Sequence, residues 1–125
     1  MAGKSKKVLV IEDDELVSRV YGIKLQQEGL EVIMAKDGEE GLQRTMSDKP
    51  DLVLLDLMLP NKDGFWYLEE MSKKPELKQV PVIVLSNLGQ KVDMDKATEL
   101  GAKDYFVKAD SSIGGIVDKV KSYLK

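Results

Sequence analysis

The sequence predicts an α/β fold in which five β-strands alternate with five α-helices. Two observations carry this prediction. Five short apolar runs recur along the 125 residues, and the segments between them carry apolar residues at helical spacing. The apolar runs are residues 8–11, 32–35, 52–55, 80–85 and 105–107. Each run has about the length of a strand and little alternation, which indicates strands buried on both faces of a sheet.

The segments between the apolar runs carry residues typical of helix boundaries. Asp37, followed three residues later by Glu40, predicts the start of the second helix, and Asp63 predicts the start of the third. Gly29 and Gly101 predict the ends of the first and fourth helices. Residues 110–112 offer caps for the last helix. The apolar stripes expected to face the sheet are Leu16, Val20, Tyr21, Ile23 and Leu25, then Leu42 and Met46, then Phe65, Leu68 and Met71, then Val92, Ala97 and Leu100, and finally Ile113, Ile116, Val117, Val120 and Leu124.

Strands that alternate with helices form a parallel sheet with helices on both faces, joined by right-handed crossovers. The predicted architecture is a flavodoxin-like (βα)5 fold, a doubly wound five-stranded parallel sheet of strand order 2-1-3-4-5. The length of 125 residues predicts one domain. Residues 1–5 are expected to form a flexible N-terminal tail and residues 6–125 the domain itself.

Composition excludes several classes of chemistry. The chain has no cysteine and no histidine, which excludes disulfides, thiolate metal sites and a histidine phosphoryl donor within this sequence. The net charge is −3 and the basic residues are scattered, so no nucleic-acid-binding patch is predicted. No apolar stretch approaches the length of a membrane span, and the first residues do not resemble a signal peptide. We therefore expect a cytoplasmic protein.

Acidic residues follow two strands that this strand order makes neighbours. The first strand runs into Glu12, Asp13 and Asp14, and the third strand ends at Asp56. Neighbouring strands lie roughly 4.8 Å apart, so these carboxylates should crowd one pocket at the edge of the sheet where ligands bind in such folds. A crowded acidic pocket needs a cation or shifted pKa values. Oxygen ligands without histidine or cysteine suit Mg²⁺.

Two further polar residues end or follow strands at the same edge. Ser86 ends the fourth strand and offers a hydroxyl, and Lys108 follows the fifth strand and offers an ammonium suited to a phosphoryl group. Taken singly, the acids are typical of a helix N-terminus, with Asp14 as a cap, and Lys108 of a solvated surface. Taken together, they indicate phosphoryl transfer, with Asp56 as the nucleophile that forms an acyl phosphate.

Over residues 6–125 the chain resembles a response-regulator receiver domain. The resemblance rests on the acids after the first strand, on Asp56 within "LLDLMLPNKDG", on Ser86 within "VIVLSN", and on Tyr105 and Lys108 within "GAKDYFVKA". It implies that Asp56 is the phosphoacceptor, that Ser86 and Lys108 assist at the site, and that Tyr105 is the switch aromatic.

The resemblance also implies a metal and two kinds of partner. Mg²⁺ would be held by Asp13, Asp56 and the main-chain carbonyl of Met58, with Glu12 acting through a metal-bound water. A histidine kinase or a phosphotransfer protein would donate the phosphoryl group. The face formed by the fourth helix, fifth strand and fifth helix would then change its preference for a downstream partner whose identity the sequence does not give. A monomer or weak dimer is expected, without a nucleic-acid or membrane partner in this chain.

In this family the residues two places after the phosphoacceptor and after the hydroxyl flank the path of the hydrolytic water. Here they are Met58 and Leu88, which are apolar and bulky. The protein is therefore expected to catalyse its own phosphorylation and only slow autodephosphorylation, rather than to act as an enzyme on other substrates.

One position departs from the family pattern. The family usually has proline after the lysine, with a cis peptide bond, but here the pair is Lys108-Ala109. A cis bond before alanine costs roughly 2.5–4 kcal/mol, against about 0.5–1 kcal/mol before proline. We therefore expect a trans bond at Lys108-Ala109.

Three alternative interpretations differ in the residues that they require. An aspartate-nucleophile phosphatase needs a second acid shortly after the nucleophile and a substrate cap, but Leu57, Met58 and Leu59 follow Asp56. A flavin-binding module needs a phosphate-binding loop after the first strand, where acids would repel the phosphate. A docking module of the same fold that acts without phosphorylation remains the alternative.

Overall fold

The computed structural model of the protein describes residues 5–125, so most of the predicted tail lies outside the described residues. The strands are β1 (Lys7–Ile11), β2 (Glu31–Ala35), β3 (Leu52–Leu55), β4 (Val82–Ser86) and β5 (Asp104–Val107). The helices are α1 (Glu15–Gln27), α2 (Gly38–Asp48), α3 (Gly64–Ser72), α4 (Lys91–Glu99) and α5 (Ile113–Tyr123). All strand pairs are parallel, in the order β2-β1-β3-β4-β5, which confirms the predicted fold.

Two apolar cores lie on opposite faces of the sheet. Alternate residues of β1 point to opposite sides, so Leu9 packs in one core with Tyr67 and Leu68 of α3, while Val8 packs in the other with Leu25 of α1. The central strands β1, β3 and β4 are almost wholly buried, as predicted. The edge strands β2 and β5 are only partly buried, because each has a single neighbouring strand.

Local hydrogen bonds begin four of the five helices. Asp14, Asp37, Asp63 and Ser112 each accept a bond from a main-chain N–H in the first turn of the helix that follows. The N-cap residue of α4, Gln90, makes no such side-chain bond, and Ala97 is the one buried residue of this helix. Of the five helices, α4 therefore has the fewest buried residues.

The predicted apolar stripe of α1 is partly wrong. Tyr21 and Leu25 are buried, but Leu16 is 69% exposed and Ile23 is 49% exposed. The face of α1 that meets the sheet instead includes the small residue Gly22, where a Cβ would collide with the methyl group of Met34. This face was missed because a small residue can bring a helix close to its neighbour while contributing little apolar signal.

Smaller corrections concern three other elements. Met46 of α2 and Val92 of α4 are exposed rather than buried. The apolar run 80–85 was expected to be a strand throughout, but β4 begins at Val82. Pro81 has no N–H to give to a neighbouring strand, and the N–H of Val80 closes a short turn by donating to the Leu77 carbonyl at 3.1 Å.

Candidate functional site

Strand register brings the candidate site residues to one edge of the sheet. Ile11 of β1 pairs with Leu55 of β3, so the next residues, Glu12 and Asp56, lie side by side. The N–H of Asp56 donates to the Ile11 carbonyl at 3.0 Å, which extends this pairing into the site. Because β1 and β3 are neighbours although they are not consecutive, this edge is the topological switch point where doubly wound sheets bind ligands.

Three carboxylates converge at this edge. Glu12, Asp13 and Asp56 each offer an oxygen, and these three atoms lie within 4.8 Å of one another. Glu12 is 5% exposed and Asp56 is 6% exposed, whereas Asp13 is open to solvent. Carboxylates alone, without nitrogen or sulfur donors, are a set that fits a hard divalent cation such as Mg²⁺. Because Asp13 is exposed, such an ion could keep several of its waters.

Main-chain N–H groups orient the two buried carboxylates. The N–H of Asp14 donates to Glu12 Oε2 at 3.1 Å, and the N–H of Met58 donates to Asp56 Oδ1 at 3.1 Å. Each carboxylate therefore has one oxygen held by the backbone. Its second oxygen faces the ammonium of Lys108.

Lys108 reaches into the pocket from the end of β5. Its Nζ lies 2.5 Å from Glu12 Oε1 and 3.1 Å from Asp56 Oδ2. Residues 5–125 contain no cis peptide bond, so the Lys108-Ala109 bond is trans, as predicted. The long, flexible side chain thus reaches both acids without the cis geometry that is usual in the family.

The pocket perturbs the ionisation of its own groups. Burial raises the pKa of Glu12 to about 7; the hydrogen bond from Lys108 opposes this rise, and the charge of Asp56 adds to it. Burial lowers the pKa of Lys108, but its contacts with Glu12 and Asp56 outweigh that effect and raise the pKa above its usual value. Lys108 is therefore a fixed positive charge at neutral pH.

Ser86 and Tyr105 both contact the main chain of Leu88, in the loop between β4 and α4. Ser86 is fully buried, and its Oγ accepts a bond from the Leu88 N–H at 3.4 Å. The hydroxyl of the half-buried Tyr105 donates to the Leu88 carbonyl. Ser86 also pairs with Val107, the residue before Lys108, so β4 and β5 bring both residues to the same edge.

Sequence reasoning missed two features of this region. It did not predict that Leu88 is the common main-chain partner of Ser86 and Tyr105. It also assigned no role to Asn61, whose side chain contacts carboxylates at the start of α2. The glycine after Asp37 was the available signal for a close approach at the start of α2.

Comparisons with known proteins agree with this fold and site. The family model described as the response regulator receiver domain matches residues 8–120. A protein of Cyanophora paradoxa described as a probable transcriptional regulator, ycf27, is 40% identical over 103 residues, which are 82% of this chain and 42% of that protein.

Solved structures match over nearly the whole chain. The BeF3-activated N-terminal receiver domain of Klebsiella pneumoniae RstA is 28% identical with a TM-score of 0.87, covering 96% of this chain and 99% of that one. The Mn(2+)-bound form of response regulator Rcp1 is 28% identical with a TM-score of 0.81, covering 95% of this chain and 94% of that one.

Fold and site together define a doubly wound α/β protein with an acidic pocket at its switch point. The chain belongs to the response regulator receiver domain family, as predicted. Receiver domains accept a phosphoryl group in two-component signal transduction and bind Mg²⁺ at an acidic pocket. The chain spans less than half the length of the ycf27 relatives that it matches. Within residues 5–125, no helix has the length and apolar character needed to cross a membrane.

Proposed function

We propose that Asp56 accepts a phosphoryl group from a histidine kinase or phosphotransfer protein while Mg²⁺ is bound in the same pocket. The observation that supports this most directly is the convergence of Glu12, Asp13 and Asp56 within 4.8 Å, together with the Lys108 ammonium on two of them. Glu12 and Asp56 are both buried, an arrangement with a high desolvation cost that a purely structural role would not explain.

In this transfer an oxygen of Asp56 attacks the phosphorus of a phosphohistidine. A P–O bond forms as the P–N bond breaks, and the histidine nitrogen leaves with the electron pair. The Met58 N–H orients the Asp56 carboxylate, and Lys108 balances negative charge beside it. Mg²⁺ would be held by Asp13, Asp56 and the Met58 carbonyl, with Glu12 acting through a water, and would neutralise charge on the phosphoryl oxygens.

Two of the similar receiver domains support this proposal by their bound groups. RstA is described as BeF3-activated and Rcp1 as Mn(2+)-bound. Both share the fold of this chain over nearly its full length, and the divalent cation named for Rcp1 accords with the acidic pocket of this chain.

The contacts of Leu88 suggest how phosphorylation alters the surface formed by α4, β5 and α5. Once Ser86 Oγ turns toward a phosphoryl oxygen, it gives up its long bond to the Leu88 N–H. Tyr105 then rotates inward and leaves the Leu88 carbonyl, which frees the loop before α4. Because α4 has one buried residue and no side-chain cap, a modest free-energy change at this loop can reposition it.

The test of this function is the intact mass of the protein after incubation with acetyl phosphate and Mg²⁺. We expect a single phosphoryl adduct that does not form when EDTA removes the metal. Absence of an adduct under both conditions would favour the alternative, a docking module that acts without phosphorylation.

Mg²⁺ alone is expected to stabilise the protein against heat. At a tenfold excess over its Kd, the ion should add about 1.4 kcal/mol to the free energy of unfolding, provided that it binds only the folded chain. Asp13→Asn should greatly reduce this gain, because it removes the negative charge of an exposed ligand without disturbing the core. Asp14→Asn is the matched control, since asparagine also caps helices and Asp14 caps α1. Equal responses of the wild type and Asp13→Asn would contradict the metal assignment.

The phosphorylated form is expected to be long-lived. Met58 is 56% exposed and Leu88 is half-buried, and neither side chain can orient a water by hydrogen bonds. Replacing both with small polar residues, Met58→Asn and Leu88→Ser, should speed the decay of the adduct roughly tenfold. This corresponds to an activation free energy for hydrolysis that is lower by about 1.4 kcal/mol. Met46→Asn, at an exposed methionine of α2, is the control. Unchanged decay in the double variant would count against this role.

A further inference from the structure

The loop between β3 and α3 is packed against the start of α2. The N–H of Gly38 donates to the Lys62 carbonyl at 2.7 Å. A Cβ at Gly38 would lie 2.5 Å from that oxygen and 2.8 Å from the Asp63 carbonyl oxygen. These atoms belong to the backbone, which cannot swing aside as the end of a side chain can. Any side chain at position 38 must therefore displace the loop.

Asn61 makes a second connection between the loop and α2. Its backbone is in the left-handed region with φ 63°, which is uncommon for residues other than glycine. Its amide donates to Glu39 Oε1 at 3.1 Å and to Asp37 Oδ2 at 3.5 Å. The other oxygen of Asp37 accepts the Glu40 N–H and caps α2. Asn61 is thereby held against the capping structure of the helix.

The far end of the loop closes directly on the phosphoacceptor. The N–H of Gly64 donates to the Leu57 carbonyl at 3.0 Å, and a Cβ at Gly64 would lie 2.5 Å from the Asp56 carbonyl oxygen. Within this closed loop, the Met58 N–H holds Asp56 Oδ1 at 3.1 Å. Because these contacts close the loop onto β3, we expect a displacement of residues 61–63 to shift Met58 and Asp56 as well.

We propose that Gly38 and Asn61 are positioning residues for phosphoryl transfer: the start of α2 sets the position of the loop that carries Met58 and thereby the geometry of the metal and of Asp56. This inference rests on the proposed function of Asp56 and its metal. A displacement of roughly 1 Å at a reacting centre can cost about 10²-fold in rate. Helix α2 carries none of the proposed site residues. Through the close approach at Gly38, its position would nevertheless affect the rate of phosphoryl transfer.

The experiment compares Gly38→Ala and Asn61→Gly with the wild type by three measurements. These are the Kd of Mn²⁺ from calorimetry, the rate of phosphorylation by acetyl phosphate at saturating Mg²⁺, and the Tm. Glycine accepts the backbone conformation of Asn61, so Asn61→Gly removes the amide contacts without straining the folded backbone. We expect Gly38→Ala to raise the Kd and to lower the rate by about tenfold each. Asn61→Gly should change the Kd and the rate in the same directions by roughly threefold, because reaction rates are sensitive to small displacements of the reacting groups.

Two control variants separate positioning from general stability. At Gly114 of α5 a Cβ would meet no atom within 4 Å, so Gly114→Ala should change none of the site measurements. Val120→Ala removes fully buried volume on the opposite face of the sheet, so it should lower the Tm with an unchanged Kd. A purely structural role would make Gly38→Ala behave like Val120→Ala, which would overturn the proposal.

If Gly38→Ala fails to fold, the exposed Asn61→Gly decides alone. A wild-type Kd and rate in folded Asn61→Gly would overturn the inference while leaving the function of Asp56 intact. A wild-type protein that neither binds Mn²⁺ nor acquires a phosphoryl group would overturn the proposed function and this inference with it.

Discussion

Asp56→Asn is expected to abolish incorporation of a phosphoryl group from acetyl phosphate and from a phosphorylated histidine donor. The amide has the shape of the carboxylate and can still accept the Met58 N–H, so the fold should persist. It lacks a nucleophilic carboxylate oxygen, however, and no acyl phosphate can form. Intact mass after incubation with Mg²⁺ measures the result, and circular dichroism checks the fold.

The matched control is Asp63→Asn, which makes the same charge change in the same loop. Asp63 caps α3 by accepting the Trp66 N–H at 2.9 Å, a role that asparagine can fill. Asp63→Asn should therefore still be phosphorylated. A wild-type yield of adduct in Asp56→Asn would mean that another residue accepts the phosphoryl group.

Lys108→Met should have the second largest effect, on rate and on stability. The substitution removes the ammonium that contacts both Glu12 and Asp56 while keeping a side chain of similar length. Removing one charge-stabilising group from a catalytic site costs about 10²–10³ in rate, and we expect a loss of this size in phosphorylation. Breaking a buried ion pair typically costs about 3–5 kcal/mol. Because Lys108 is partly exposed, we expect a smaller loss, about 2 kcal/mol in the free energy of unfolding. Chemical denaturation without metal measures this loss.

Lys103→Met is the control for this loss, because Lys103 is an exposed lysine just before β5, at the opposite end of that strand from Lys108. Lys108→Arg should retain part of the stability, since the positive charge remains. Phosphorylation of Lys108→Met at the wild-type rate would exclude the ammonium from the reaction, whatever the stability change.

The sequence determined the features that depend on neighbouring residues. Apolar runs of strand length, separated by segments with apolar residues at helical spacing, were enough to predict the order of strands and helices. That order in turn predicted a parallel sheet. The caps at Asp14, Asp37 and Asp63 were predictable because each bonds to an N–H two or three residues away. The grouping of Glu12 with Asp56 also followed from the sequence, because parallel strands end at the same edge of a sheet.

The tertiary structure alone decided which surfaces meet. Leu16 and Ile23 fit the helical period, yet they face solvent, because the contact face of α1 depends on Gly22 and its approach to Met34. The pKa of Glu12 depends on burial and on Lys108, which lies 96 residues away in the chain.

The contact between Gly38 and Lys62 has the same origin. It joins two backbone groups 24 residues apart; a glycine permits a close approach, but neither residue type identifies its partner. The spacing of residues within a helix or strand predicts only which side chains share a face. Packing between elements, which sets the geometry of this site, is decided when the whole chain has folded, because atoms distant in sequence must then fill the same space.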